Sequence, residues 1–177
     1  MISREIFNEA QKKAVEYLNI AHITITEEEM NKIEVADFGL GDLWNTGLEI
    51  LTYVNTERVC AKELVVLPNQ TCPEHRHPAI GDYAGKEETF RCRYGIIYLY
   101  VDGEPTRKRA VDPPNGKYTV FHEIVLNEGQ QYTLKPNTKH WFKAGPAGAV
   151  ISEFSTSSYD EGDIFTDENI TRAPEVD

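Results

Sequence analysis

The sequence has little that would hold it in a membrane or attach it to nucleic acid. No apolar run approaches the roughly 18 to 20 residues that span a bilayer. The 18 lysines and arginines are outnumbered by 29 aspartates and glutamates, which gives a net charge of −11. We therefore expect no basic surface able to displace counterions from phosphates. Because the N-terminus also lacks the basic and apolar regions of a signal peptide, we expect a cytoplasmic protein with neither membrane nor nucleic acid as a partner.

Cysteine is scarce as well. The three cysteines are Cys60, Cys72 and Cys92, and no two of them have the C-x-x-C spacing of a redox or zinc site. In a chain without a secretory signal such residues are expected to remain thiols. We therefore predict three small, buried or half-buried side chains without a chemical role.

The length and the hydrophobic content are those of one globular domain. A chain of 177 residues can bury one core, and 40% hydrophobic residues are ordinary for a soluble fold. We predict a single domain over residues 1–177. It would comprise a helical lead-in over 1–46, a barrel over 47–155 and a C-terminal tail over 156–177.

Two helices are predicted before the β-rich part of the chain. Residues 3–19 have an apolar stripe at i, i+4 spacing behind a possible N-cap at Ser3. A second, shorter helix is expected to start at Thr26, where Thr26 and Glu29 have the spacing of a capping box. Short β-rich runs separated by polar turns then follow at 48–54, 59–67, 89–92, 96–101, 118–126, 132–134, 140–143 and 149–154. Many short strands of this kind indicate an antiparallel sandwich or barrel.

Two histidines at H-x-H spacing suggest a metal site. In a strand, the side chains of His75 and His77 would point to the same face. Such a pair taken alone is more often two solvated histidines beside a turn. Glu88, which precedes Gly95 by seven residues, and His140, which follows a Pro-Asn turn, extend the pattern. Glu87 competes with Glu88, and the spacing to Gly95 is what favours Glu88.

These residues resemble the two motifs of the cupin family. The resemblance implies an all-β, jelly-roll type antiparallel barrel with short N-terminal helices. It also implies that His75, His77, Glu88 and His140 face the interior and bind a divalent metal ion. Three imidazoles and a carboxylate suit Mn²⁺, Fe²⁺, Co²⁺, Ni²⁺ or Zn²⁺, and they leave open positions on a six-coordinate ion. The long interval 78–86 departs from the family pattern, and it is either an exposed loop or a lid over the site.

Longer runs are similar to the D-lyxose isomerase family. They are residues 62–65, 70–77, 86–95, 136–142, 153–156 and 163–167. Members of that family are metal-dependent enzymes that favour Mn²⁺. They interconvert D-lyxose with D-xylulose and often D-mannose with D-fructose. The resemblance therefore implies an aldose–ketose isomerase that acts on a small neutral sugar.

Three further residues are candidates for the chemistry. Glu153 follows the apolar run 149–151 and is our candidate base, although it can also be a solvated strand residue. Lys62 shares its strand parity with Leu64, so it is either a proton donor or substrate clamp, or a lysine whose amine reaches solvent at the barrel edge. Asp163 is expected either to bind sugar hydroxyls or to cap the C-terminal turn.

Other functions remain open at this level. A cupin isomerase acting on a sugar phosphate would need a cationic pocket, for which Lys62, Arg91 and Arg93 are the candidates, but strand parity points both arginines away from Glu88. A cupin dioxygenase would use the same ligands for Fe²⁺ and O₂. A non-catalytic metal- or sugar-binding cupin is the alternative from another class. A homodimer is expected, because small antiparallel sheets commonly pair to protect their faces and edges.

Overall fold

The computed structural model describes residues 2–172 and residue 176. Within these residues the chain forms two α-helices, one short 3₁₀-helix and nine β-strands. The helices are α1 (Arg4–Ile20) and α2 (Glu27–Lys32), and the 3₁₀-helix is Asp160–Gly162. The strands are β1 (Glu34–Ala36), β2 (Leu48–Asn55), β3 (Cys60–Val66), β4 (Thr71–Arg76), β5 (Glu88–Val101), β6 (His122–Asn127), β7 (Gln131–Leu134), β8 (His140–Ser155) and β9 (Ile164–Phe165). No helix among the described residues is long and apolar enough to cross a membrane.

Both predicted helices are confirmed, and local capping explains where they begin. The Ser3 hydroxyl accepts a hydrogen bond from the backbone amide of Ile6 at the start of α1. At α2, Thr26 and Glu29 satisfy each other's backbone amides in the predicted capping box. These two signals act within four residues, so the sequence alone is sufficient to locate them.

One curled antiparallel sheet carries the rest of the fold. The order β1-β2-β3-β8-β4-β9 runs along it, and β5 pairs with β6, β7 and β8. The 16 residues of β8 bend, so that one end pairs with β4 and the other with β3. This curvature encloses an apolar interior that includes Leu64, Phe90, Phe142 and Ile151. The predicted antiparallel β-barrel architecture is therefore confirmed.

The helices cover part of the outer face of the sheet. Ala14 and Leu18 of α1 pack on Leu51, Val65 and Val150, which point away from the interior. The chain thus has two buried regions, one inside the curled sheet and one between the sheet and the helices. The three cysteines are all buried thiols, as predicted.

Several predicted strand limits were wrong. The separate runs 89–92 and 96–101 belong to one strand, β5, because Gly95 adopts a φ of +74° and the register shifts around it instead of breaking the strand. A side chain at position 95 is also excluded, because its Cβ would collide with the carbonyl oxygen of Gly148. The runs 140–143 and 149–154 likewise join in β8. The strand predicted at 118–126 begins only at His122.

Candidate metal centre and catalytic pocket

Three histidines meet at one end of the curled sheet. His75 lies in β4, His140 begins β8 directly opposite it in the register, and His77 follows β4. Their ligating atoms all lie within 4.8 Å of one another, and all three side chains are buried. The structure thus brings together the histidines that the H-x-H spacing and the Pro-Asn turn singled out.

The second nitrogen of each ring is engaged elsewhere. Nδ1 of His75 donates to a backbone carbonyl at 2.8 Å, and Nδ1 of His140 donates to another at 3.0 Å. Nδ1 of His77 contacts the carboxylate of Asp163. In His75 and His140, a proton held on Nδ1 leaves a lone pair on the opposite nitrogen Nε2, which is the arrangement typical of metal-binding histidines.

Glu88 completes the cluster from the first residue of β5. Its Oε1 atom lies 3.2 Å from Nε2 of His77 and 3.3 Å from Nε2 of His140. Within the described part of the chain, neither this Oε1 nor Nε2 of His140 has a hydrogen-bond partner, and both atoms are buried. Because unpartnered buried polar atoms are costly, a divalent cation between them fits this donor set. The competing Glu87 is exposed.

A buried lysine balances the carboxylates of the site. Nζ of Lys86 lies 2.9 Å from Oε2 of Glu88 and 2.6 Å from Oε1 of Glu153. Burial alone would raise the pKa of Glu88, but Lys86 and His77 hold it well below its usual range. Burial would lower the pKa of Lys86, yet the Glu153 and Glu88 carboxylates raise it well above the ordinary value. The site therefore keeps its charges despite its burial.

The histidines differ in their protonation. Burial, together with the neighbouring rings of His140 and His77, lowers the pKa of His75 well below its usual value. Burial also lowers the pKa of His140. For His77 burial acts in the same direction, but Glu88 and Asp163 outweigh it and raise the pKa to about 9. Two rings are thus neutral donors at neutral pH, and the third would have to lose a proton before it could bind a cation.

The three other residues singled out in the sequence line the same pocket. Glu153 and Lys62 lie opposite each other on β8 and β3, and both side chains are buried. Nζ of Lys62 is 2.6 Å from Oδ2 of Asp160 and 3.0 Å from the hydroxyl of Ser158. Asp163 reaches the pocket from the C-terminal segment, where it contacts His77.

The sequence analysis missed three charged residues of this pocket, which are Lys86, Asp160 and Arg172. Lys86 precedes Glu88 by two residues, and this spacing could have indicated a shared face. Arg172 contacts Glu34, and it lies 3.6 Å from Asp160. No local pattern marks Arg172 or Asp160, because tertiary folding of the C-terminal segment brings them to the pocket.

The rest of the pocket wall is apolar. Phe38, Phe90 and Phe165 are among the lining side chains, and Phe165 packs 5.4 Å from the ring of His75. The pocket thus combines a group of charged side chains with an apolar lining. Such a cavity suits proton transfer on a small polar molecule, because electrostatic interactions are stronger where water is excluded.

Comparison with known proteins finds close relatives along the whole chain. The chain is 59% identical over 180 residues to the D-lyxose/D-mannose isomerase of Thermosediminibacter oceani, and the match covers 100% of this chain and 99% of that protein. It is also 59% identical to the D-lyxose ketol-isomerase of a Thermofilum species, over 99% of each. The D-lyxose ketol-isomerase of Cohnella laeviribosi is 54% identical over 97% of this chain and 96% of that protein.

Solved structures of low sequence identity share the fold. The L-ribose isomerase of Cellulomonas parahominis superposes with a TM-score of 0.77 at 19% identity, over 99% of this chain and 98% of that one. The L-ribose isomerase of an Acinetobacter species, solved in complex with L-ribose, gives 0.76 at 16% identity with the same coverage. At these identities the similarity establishes the fold alone. No protein-family model matches the chain.

Proposed function

The chain belongs to the D-lyxose ketol-isomerase family and is a sugar aldose–ketose isomerase, and we propose that its reaction is the metal-dependent interconversion of D-lyxose and D-xylulose. We extend the proposal to D-mannose and D-fructose, since one relative is named for both aldoses. The observation that carries metal dependence is the convergence of His75, His77, His140 and Glu88. Two buried atoms of this cluster, Oε1 of Glu88 and Nε2 of His140, have no hydrogen-bond partner among the residues that the structure describes.

The proposed metal is Mn²⁺, held by the three histidines and Glu88. Co²⁺, Fe²⁺, Ni²⁺ and Zn²⁺ suit the same donors. When bound, the ion supplies Lewis acidity toward the carbonyl and hydroxyl oxygens of the sugar. Asp163 supports this role by orienting His77, and a direct contact from Asp163 to a sugar hydroxyl remains a prediction.

Proton transfer is assigned to Glu153 and Lys62. Isomerisation removes the proton from C2 of the aldose and delivers one to C1, through an enediol. We propose that Glu153, buried beside Lys86, is the base that moves this proton. Lys62, held by Asp160 and facing Glu153 across the strands, is proposed as the proton donor or clamp for a sugar oxygen.

A neutral sugar is favoured over a sugar phosphate. Among residues 2–172 and 176, the lysine and arginine side chains that line the pocket are those of Lys62, Lys86 and Arg172, and each already contacts at least one carboxylate. A phosphate would have to break one of these buried ion pairs, which is costly. Arg91 instead donates to Gln131 at the surface, in keeping with its predicted strand parity.

The test is an isomerase assay on metal-stripped protein. We expect ketose from D-lyxose after Mn²⁺ is added back, and a loss of about 10²- to 10⁴-fold in Glu153→Gln at unchanged Mn²⁺ affinity. Glu63→Gln is the matched control, because Glu63 lies on the neighbouring strand and bonds to Ser152 rather than lining the pocket. In D₂O, deuterium should enter C1 of the product.

Other outcomes would favour the alternatives. Ketose from sugar phosphates alone would indicate a sugar-phosphate isomerase, and O₂ consumption with Fe²⁺ would indicate a dioxygenase. Tight metal binding without turnover of any of these sugars would indicate a non-catalytic module. Full retention of a C2 deuterium label in the product would rule out the solvent-exchanging enediol.

We also propose a homodimer. Val54, Ala61 and Phe154 are cross-strand neighbours on β2, β3 and β8, and Phe154 is 51% exposed. Together with Val59, 53% exposed, they form an apolar surface that a second copy would cover. Light scattering should give a dimer mass for the native chain and a monomer for Phe154→Glu. The cytoplasmic location expected from the sequence stays a prediction.

A further inference from the structure

Glu74, the residue immediately before His75, is a buried carboxylate that the proposed reaction does not use. Its Oε2 atom accepts hydrogen bonds from the backbone amides of Thr119 at 2.6 Å and Val120 at 3.0 Å. Its Oε1 atom accepts from the hydroxyls of Thr119 at 2.7 Å and Thr166 at 2.6 Å. One side chain thus joins β4 to the 117–121 segment and to the C-terminal segment.

The backbone of Glu74 makes a second contact to the same C-terminal residue. Its carbonyl oxygen accepts from the backbone amide of Thr166 at 3.0 Å. Thr166 directly follows β9, whose residues Phe165 and Ile164 pair with His75 and Arg76. Glu74 therefore holds the C-terminal end of β9 at two points, through its side chain and its main chain.

The register of β9 matters for the metal centre. Asp163 directly precedes β9 and contacts Nδ1 of His77, while Phe165 packs on His75. Successive strand residues point to opposite faces, so a slip of one residue would turn Asp163 and Phe165 away from these rings. With only two residues, β9 has too few ladder bonds to fix its own register.

We propose that Glu74 is a positioning residue of the metal centre, which fixes Thr166 and thereby the register of β9 that brings Asp163 to His77. The inference rests on the metal ligands of the proposed function and is independent of which sugar is the substrate. Asp163 determines which nitrogen of His77 carries the proton and how the ring is oriented. Glu74 acts on His77 indirectly, through Thr166 and the position of β9.

The test compares two threonines that donate to the same oxygen of Glu74. Thr166→Val removes the bond on the side of β9, whereas the matched control Thr119→Val removes the bond to the 117–121 segment. The measured quantity is the dissociation constant for Mn²⁺, obtained without substrate from the electron paramagnetic resonance signal of free Mn²⁺. Glu74→Gln and Asp163→Asn complete the set.

We expect Asp163→Asn and Glu74→Gln to weaken Mn²⁺ binding by about 10- to 100-fold, in the range of groups that orient metal ligands. Thr166→Val should weaken it by about 10-fold, and Thr119→Val by less than about 3-fold. The double variant Thr166→Val/Asp163→Asn should bind no more weakly than Asp163→Asn alone, because both changes act through one contact.

Equal effects of the two threonine variants would overturn the inference, as would Glu74→Gln with native Mn²⁺ affinity. If Glu74→Gln or Asp163→Asn fails to fold, ¹⁵N spectra of the histidine rings in the two metal-free threonine variants provide the test. The His77 signals should shift in Thr166→Val and should not shift in Thr119→Val. Native protein that binds Mn²⁺ without isomerase activity would refute the proposed reaction only. Native protein that binds no Mn²⁺ would overturn both.

Discussion

Two glutamates, both fully buried on strands of one sheet, have opposite electrostatic behaviour. Glu88 lies inside the curled sheet, and its pKa is well below the ordinary range. Glu49 lies on the outer face, where its cross-strand neighbours Val35 and Val65 pack beneath α1. Burial raises the pKa of Glu49 to about 8, and the amide of Gln70 offsets little of this effect. Glu49 is therefore mainly protonated at neutral pH.

The pKa values of Glu88 and Glu49 differ because of the groups around each carboxylate, since both side chains are buried. Glu88 is surrounded by Lys86 and two imidazoles, and its interactions with them offset the cost of removing its charge from water. Among the described residues, no cation lowers the pKa of Glu49, and its Oε2 atom has no hydrogen-bond partner there. The inner region of the sheet is thus organised to hold charge without water, while the region under the helices tolerates a neutral acid.

The strongest test of this comparison replaces Glu88. We expect Glu88→Gln to lower isomerase activity by at least about 10³-fold, since the Lewis-acid contribution of a bound ion is worth several kcal/mol. Glu49→Gln, the matched change under the helices, should leave activity within about twofold of native. Steady-state rates with saturating Mn²⁺ measure both. Native Mn²⁺ affinity in Glu88→Gln would show that Glu88 is not a ligand.

Removing the charged amine of Lys86 should destabilise the inner region of the sheet. Lys86→Met leaves Glu88 and Glu153 buried without their shared partner, and it should cost about 3–5 kcal/mol of the free energy of unfolding. Urea denaturation of metal-free protein measures this. The control is Lys117→Met, because the Lys117–Glu168 pair is solvent-exposed and its removal should leave the free energy of unfolding nearly unchanged. Equal losses in the two variants would contradict the role of Lys86.

The ionisation of Glu49 in the outer region should make the stability of the protein depend on pH. Glu49 ionises near 4.5 when unfolded and near 8 when folded, so its contribution to stability is full below pH 4.5 and is lost as pH rises to about 8. The loss approaches roughly 1.4 kcal/mol per pH unit within that window. Between pH 4.5 and about 8, the free energy of unfolding of the native protein should therefore fall by a few kcal/mol relative to that of Glu49→Gln. A pH-independent difference between the two, measured by denaturation, would show that Glu49 does not ionise as described.

The smallest expected effect concerns the helices that cover the outer face. Thr26→Ala removes the hydroxyl of the capping box and should lower the free energy of unfolding by about 1 kcal/mol. Activity should not change, because no residue of α2 lines the pocket. Thermal unfolding and the isomerase assay check this pair of expectations. A loss of activity at native stability would show that the helical layer is coupled to the site.

Features determined by neighbours in sequence were predictable. The caps at Ser3 and Thr26 act over a few residues, and both helices begin where these signals indicate. The spacing of His75 and His77 follows the two-residue period of an extended chain, and the two rings indeed lie together. Strand ends were less predictable, because glycines in β5 and β8 could be absorbed as bulges of a curled sheet instead of ending the strands.

The sequence by itself thus determined the two helices, the antiparallel β-rich architecture and the residue types of the proposed metal centre. Only the tertiary structure showed which further charges meet there. Lys86 comes from the loop before β5, and Asp160 and Arg172 come from the C-terminal segment. The physical reason is range: caps and strand parity act between near neighbours, whereas the charge of a buried carboxylate depends on every group that folding brings within a few ångströms.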